Sequence, residues 1–466
     1  MKASSGIELL VRLERSSTVP LHSQLEHQLR EAARTGTLRP GTPLPSTRAL
    51  AGELGVARGV VSDAYTQLTA EGYLTSKRGA ATRVADRAAG APVATRPAQQ
   101  PRAPRFDFRP GTPDVSLFPR QAWATALRQA LKDAPDDRLS YPDPHGTIEL
   151  REALAAYLGR VRGIVADAES IVVASGMAQG LALTCRALGS RGLDRLALED
   201  PGTGPIRVQA KATGLEPVPI PVDGDGIDVG ALDASGARAA LVTPAHQFPT
   251  GVVLSPPRRA ALIDWATSRD AFVLEDDYDA EYRYDRPPVG AVQGLDPARV
   301  VYLGSVSKTL APALRIGWLV APSALAETIL FEKANDDKGT PVLEQLALAI
   351  LLERGEVDRH VRRSRLVYRR RRDTLVEALA QQLPDARPDG IAAGLHVVLR
   401  LPDQLDDQAV VEAAGRRGIA AVSLSAHRTL PAGPALILGY GQIADAAIVA
   451  GVRELALAVR DVSSGA

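Results

Sequence analysis

Lys308 closes the run Val300-Val301-Tyr302-Leu303-Gly304-Ser305-Val306-Ser307-Lys308, and Arg315 follows seven residues later. The apolar stretch 300–303, ended by glycine, predicts a short buried strand. An amine delivered at the end of such a strand can attack a carbonyl carbon and form an imine. The hydroxyls of Ser305 and Ser307 lie just ahead of it, and the Arg315 guanidinium can grip a phosphate bidentately. An imine-forming lysine beside a phosphate cradle is what covalent binding of pyridoxal 5'-phosphate requires, as a Schiff base on Lys308.

Three further runs carry chemistry of the same kind. Glu275-Asp276-Asp277-Tyr278 follows an apolar strand pattern. A carboxylate set against a pyridine nitrogen keeps that nitrogen protonated, and a phenol two residues on can hydrogen-bond the ring's 3' oxygen. Ala174-Ser175-Gly176-Met177-Ala178-Gln179-Gly180 reads as a strand turning into a helix, whose first free N–H groups make an anion site. Thr243-Pro244-Ala245-His246-Gln247-Phe248-Pro249-Thr250-Gly251 is another strand-end turn whose polar side chains can face a ring edge. A lone histidine such as His246 is more often a satisfied loop residue than a site residue.

The elements that must position these residues are short β-branched runs alternating with helical patterns from Phe106 onward, at 170–173, 195–198, 239–242 and 271–274. Such alternation predicts an α/β domain with a mainly parallel sheet, and ligands of such sheets bind beyond the carboxyl ends of the strands. All four runs fall at those ends.

The first 85 residues read differently. Apolar residues at helical spacing run from Pro20 to Thr35, a turn-rich stretch follows, and Ser46 can cap a helix over 47–54. Gly55 breaks it, and a second helix is expected from about Ala57 to Glu71. Helix, glycine turn, helix is the pattern that lays the second helix in a major groove. Residues 72–79 and 82–84 read as a hairpin wing with a basic tip. Eleven Lys/Arg against seven Asp/Glu in residues 1–85 leave a local excess of four positive charges, suited to a phosphate backbone. The segment 86–105, rich in Ala, Pro and Gln with four arginines, cannot bury a core and is expected to be an extended tether.

Residues 1–85 resemble the winged helix-turn-helix of GntR-type regulators. That resemblance implies Arg48, Arg58, Lys77, Arg78 and Gly79 at double-stranded operator DNA. From Phe106 on, Asp107-Phe108-Arg109-Pro110-Gly111, Tyr141-Pro142-Asp143-Pro144-His145-Gly146 and the site runs above resemble fold-type I, class I aminotransferases. Joined, the two halves look like the MocR/GabR type of pyridoxal-phosphate-dependent transcriptional regulator. The resemblance implies Lys308 as the Schiff-base lysine, Asp276 on the pyridine nitrogen and Tyr278 on the 3' oxygen. It also implies Ser305, Ser307, Arg315 and the backbone of Met177 and Ala178 on the phosphate, with Gln247 near the ring. Tyr141 would reach the phosphate of a partner subunit in a head-to-tail homodimer. The domains expected are 1–85 for DNA binding, 86–105 as linker and 106–466 as the cofactor-binding body.

Two positions depart from the family pattern. Thr203 stands where an aromatic residue commonly stacks on the cofactor ring. The stretch Ala435-Leu436-Ile437-Leu438-Gly439-Tyr440 lacks the arginine that clamps a substrate carboxylate, and Arg428 lies in a loop nearby. Without a clamp an amino acid is not oriented for proton abstraction, so the body is expected to sense rather than catalyse. The cofactor itself is then the expected effector and vitamin B6 metabolism the regulated pathway. The alternatives are an amino-acid-responsive regulator, a working aminotransferase with a fused DNA-binding domain, or a repressor whose body only dimerises.

At 466 residues the chain should form two or three domains. It has no apolar stretch near the roughly 18 residues a membrane helix needs. The N-terminus lacks a signal-peptide core, and the single cysteine, Cys185, fits a reducing compartment, so a cytoplasmic protein without membrane contact is expected. No metal site is expected. The arginine-rich run 362–372 falls on a predicted long helix, much of which should face solvent or a charged surface.

Overall fold

The computed structural model describes residues 11–77, 80–86, 103–285, 289–390 and 392–464. Arg78, Gly79 and residues 87–102 of the expected linker lie outside them. The chain divides into two compact units, Met1–Arg102 and Ala103–Ala466.

In the first unit, helix α1 spans Leu21–Arg34, α2 Thr47–Leu54 and α3 Arg58–Ala70. Ser46 caps α2 by accepting from the Ala49 N–H at 3.2 Å. Gly55 ends it in the left-handed region at φ 65°, which a side chain would disfavour, and so lets α3 turn away at once. The apolar stripes of the three helices meet in a small core of Leu25, Leu29, Leu50, Val61 and Leu68. Arg30 of α1 grips Glu71, just past α3, through two hydrogen bonds of 2.7 Å. Strands β1 (Leu74–Thr75) and β2 (Arg83–Val84) pair antiparallel as the wing, Leu74 opposite Val84. Helix, turn, helix and wing stand where the residue pattern put them.

The second unit is built on an eight-stranded sheet. Its order is Ile171–Ala174, Gly317–Val320, Val300–Ser305, Phe272–Asp277, Ala239–Val242, Arg195–Asp200, Glu216–Asp223 and Gly226–Ile227. The five strands from Val300–Ser305 through Glu216–Asp223 run parallel to one another, whereas Gly317–Val320 runs against both strands beside it and Gly226–Ile227 runs against Glu216–Asp223. Both faces are covered, so the strands read as unbroken apolar runs rather than alternating ones. Val173, Leu196, Leu241, Leu274 and Val301 are fully or almost fully buried.

A smaller antiparallel sheet follows, in the order Arg387–Asp389, His396–Arg400, Ala435–Gly439 and Val422–Ser423. Helices Glu356–Gln382 and Asp445–Ser464 pack with it around Phe108, Leu399, Leu438 and Leu455. The arginine-rich helix is two-sided. Tyr368 and Arg371 are buried, with Arg371 bonded to Asp114 and Asp445 at 2.7 Å each, while Arg362, Arg363, Arg369 and Arg370 are exposed. Among the described residues no helix is long and apolar enough to cross a membrane.

Candidate cofactor site

The carboxyl ends of five strands converge on one cavity of about 370 Å³. Lys308 enters it from the turn after Val300–Ser305, Asp276 and Tyr278 from the end of Phe272–Asp277, and Thr243 from just beyond Ala239–Val242. Ser305, Ser307, Arg315, Met177 and Ala178 line the same space. The sheet therefore gathers residues separated by some 130 positions because each sits within a few residues of a strand end.

The anion side is assembled from backbone as much as from side chains. Met177 opens the helix Met177–Ser190, and N–H groups in a first turn have no intrahelical acceptor. Gly176 precedes it at φ 92°, and a Cβ there would lie 3.1 Å from Arg315 Nη2. Glycine thus lets the guanidinium lie against the helix start, where it donates to the Ser175 carbonyl. Arg315 itself holds a left-handed conformation at φ 53°, uncommon for a side-chain-bearing residue.

Around the amine, the Lys308 Nζ donates to the Gly111 carbonyl. Burial pushes its pKa down, which favours the neutral, nucleophilic form, while the nearby Asp276 and Asp279 carboxylates oppose that fall. Asp276 is pushed up to about 7, first by burial and then by Asp277, with Lys308 acting the other way. Glu199, buried against Thr243, is likewise raised to about 7 by burial; the Thr243 hydroxyl donates to it at 2.6 Å. A carboxyl raised by folding favours the fold at acid pH, below an unfolded value of roughly 4. That contribution is lost as pH climbs through about 7. The ligand-free Asp276→Asn protein should therefore melt above the ligand-free wild type at pH 8, with the gap narrowing by pH 5. Equal melting temperatures at pH 8 would show that the site already compensates the Asp276 charge.

Two residues named from the sequence are not at the cavity. Gln247 is buried behind its wall, with its amide donating to the Pro201 carbonyl at 2.9 Å and its oxygen accepting from the Thr250 hydroxyl at 2.6 Å. Tyr141 is 86% exposed and lies apart from this chain's own cavity. Arg428 is also elsewhere, donating to the Gly433 carbonyl and Ser425 hydroxyl. In the first unit, Arg48, Arg58 and Lys77 are exposed, and Arg58 donates to the Thr47 hydroxyl at 3.3 Å.

Other residues at the cavity carried little signal in the sequence. Thr203 lines it, and so do the rings of Phe248, Tyr278 and His396, Phe248 packed edge-on against the other two with ring centres 6.2 and 5.1 Å apart. Arg207 lines it too, 3.9 Å from Asp200, and nothing in its surroundings in the chain marks it as a site residue. His246, Asp279 and His396 each bring a nitrogen or oxygen within 4.8 Å of the others. These atoms take part in hydrogen bonds: His246 with Asp279 at 3.0 Å, and His396 Nε2 with the Pro249 carbonyl at 2.9 Å.

An amine, a carboxylate, a phenol and an anion cradle in one cavity fit an aldehyde-bearing pyridine phosphate group by group. Comparison with known proteins agrees. Residues 111–426 match the aminotransferase class I and II family, and residues 21–84 match the bacterial regulatory proteins of the gntR family. The chain is 34% identical over 422 residues to the HTH-type pyridoxine biosynthesis transcriptional regulator PdxR of Corynebacterium glutamicum, covering 90% of this chain and 91% of that one. It is 34% identical over 466 residues to the probable rhizopine catabolism regulatory protein MocR of Rhizobium meliloti, covering 95% and 94%. Among solved structures, the α-aminoadipate aminotransferase LysN of Thermus thermophilus, complexed with N-(5'-phosphopyridoxyl)-L-leucine, superposes with a TM-score of 0.70 at 26% identity, covering 78% and 93%. This chain belongs to the MocR-type transcriptional regulators, in which a GntR-type helix-turn-helix is joined to an aminotransferase class I and II domain.

Proposed function

We propose that this regulator holds pyridoxal 5'-phosphate in the cavity at Lys308 and changes its grip on operator DNA with the cofactor's presence. The observation that carries the reading is the convergence of Lys308, Asp276, Tyr278, Ser305, Ser307 and Arg315 on one cavity, in a chain whose first unit is a winged helix. When bound, the cofactor supplies an aldehyde carbon and an electron-withdrawing ring. Lys308 offers the amine, Asp276 faces the ring nitrogen, and Ser305, Ser307 and Arg315 hold the phosphate. Arg48, Arg58 and Lys77 face the duplex, Arg48 and Arg58 at the starts of α2 and α3 and Lys77 in the wing, in a cytoplasmic homodimer.

The cofactor itself is the effector, and vitamin B6 metabolism the regulated pathway. Two observations support this. The strand Ala435–Gly439 offers no arginine to clamp an amino-acid carboxylate, and Arg428 is spent on its own loop. A relative sharing 34% identity is named for pyridoxine biosynthesis. An effector shifts DNA affinity only by its differential affinity for the two states, and a tenfold shift needs roughly 1.4 kcal/mol.

A second reading, an amino-acid effector or a transamination substrate, has one observation in its favour: Arg207 puts a guanidinium at the cavity wall. An operator-binding titration separates the two. With fluorescently labelled DNA from the regulator's own upstream region, pyridoxal phosphate should change the apparent Kd about tenfold or more, and a panel of amino acids should not. A response to an amino acid alone, or release of a keto acid from it, overturns the first reading in favour of the second.

A further inference from the structure

Behind the cavity wall, His246 Nδ1 lies 3.0 Å from Asp279 Oδ2 and 3.1 Å from the Tyr278 hydroxyl. Both His246 and Asp279 are almost fully buried, their side chains 3% and 2% exposed. An ionised carboxylate only accepts hydrogen bonds, so Nδ1 must carry the proton that it shares with Asp279. Nδ1 then has no lone pair for the phenol. Tyr278 must turn an oxygen lone pair toward it and send its own O–H elsewhere, and Tyr278 lines the cavity that Lys308 enters.

Gly394 closes the pair from the side of the smaller sheet. Its N–H donates to the Tyr282 carbonyl at 2.7 Å, and its own carbonyl accepts from the Tyr284 and Tyr440 hydroxyls, both at 2.6 Å. A Cβ at residue 394 would fall 2.1 Å from His246 Cε1 and 2.6 Å from Asp279 Oδ2, and φ is +70°. Only glycine at this position leaves the imidazole where it is.

We infer that His246, held by Asp279 and backed by Gly394, is a positioning residue that keeps the Tyr278 hydroxyl donating into the cavity beside Lys308. Without the imidazole nothing holds the O–H toward the cavity, and the Asp279 carboxylate, whose charge acts on Tyr278 more strongly than that of Asp276 or Glu199, would draw it away through a charge-assisted bond. The inference deepens the cofactor reading above and rests on it. The other ionisable groups facing this cluster, among the described residues, include Asp276, Glu199 and Lys308 at the neighbouring strand ends, Glu281 and Tyr284 further along the same segment, and His396 and Tyr440 from the smaller sheet. Burial first, then His246, pushes His396 down to about 3, so it stays neutral and does not compete for the Asp279 charge.

The test is a pH titration of the absorbance of the bound cofactor in full-length holoprotein. A hydrogen bond donated to the ring oxygen stabilises its anionic form and so lowers the pH at which the adjacent nitrogen releases its proton. His246→Ala should raise the midpoint by about one pH unit, a tenfold change in proton affinity. Tyr278→Phe should raise it at least as far, and the double variant no further than Tyr278→Phe alone. His246→Asn, whose amide N–H can replace Nδ1–H, should restore the wild-type midpoint, which a purely structural role would not do. Additive shifts from His246→Ala and Tyr278→Phe, or an unmoved midpoint in His246→Ala with cofactor bound, would overturn the inference while leaving the cofactor reading intact. A wild-type protein that takes up no cofactor would overturn both.

Discussion

Lys308→Ala protein should emerge from gel filtration colourless after incubation with excess pyridoxal phosphate, while the wild type retains a visible absorbance band. The expected effect is complete, because the other contacts are reversible hydrogen bonds and only the lysine can hold the cofactor covalently. The amine enters the cavity at the end of a strand buried on both faces, so truncation leaves the sheet intact. Weak phosphate binding through Ser305, Ser307 and Arg315 should survive and be measurable as a salt-sensitive thermal shift with inorganic phosphate. In the operator titration the same variant should bind DNA with one affinity whether or not the cofactor is present. A Lys308→Ala protein that still responds to pyridoxal phosphate at its operator would show that sensing does not need the covalent bond to Lys308.

The second large effect is on stability and comes from behind the site. Arg162, at the end of its helix, donates to Asp277 Oδ2 at 2.6 Å, and their side chains are 1% and 3% exposed. The Tyr302 hydroxyl donates to the same carboxylate at 2.6 Å. Burial works against the Arg162 charge, but the Asp277 carboxylate outweighs it and the guanidinium stays protonated. Arg162→Ala would leave Asp277 buried with the Tyr302 phenol as its one remaining side-chain hydrogen bond among the described residues, and removing one partner of such a pair costs about 3–5 kcal/mol. The urea midpoint of the body should fall accordingly. Replacing Arg162 and Asp277 together by methionine and leucine should recover much of the loss, since the pair contributes little net energy once both charges are gone. Asp277 adjoins Asp276 in the strand, so Arg162→Ala should also weaken cofactor retention. Unchanged urea midpoints would mean that water reaches the pair.

Most of the fold was legible because the chain obeys its local rules almost everywhere. Ser46 and Gly55 mark the limits of α2, and the strands ending at Asp277 and Ser305 announce themselves as apolar runs closed by polar clusters. Asp276, Tyr278, Ser305, Ser307 and Lys308 were placed at the cavity edge for the same reason: each lies at a strand's carboxyl end or within three residues of it. Residues that reach the cavity across the fold were not. Arg207 comes from one turn into a helix that leans over the cavity, and His396 from the smaller sheet some 90 residues beyond Lys308. Gln247 shows the converse. It stands in a strand-end turn beside His246, yet the Glu199 and Thr250 side chains and the Pro201 carbonyl draw its amide inward. Sequence spacing tells which residues reach an edge, not which way a side chain points once there.

Strand Gly317–Val320 of the large sheet runs against both of its neighbours, and this sets where Lys308 and Arg315 stand. Because Gly317–Val320 is antiparallel to Val300–Ser305, its first residue lies at the edge where the other strand finishes, with Gly317 opposite Ser305. Lys308 and Arg315 are thus the two shoulders of a single reverse connection. The placing of the Arg315 guanidinium relative to the Lys308 amine is set by that short piece of backbone together with the bond Arg315 donates to the Ser175 carbonyl.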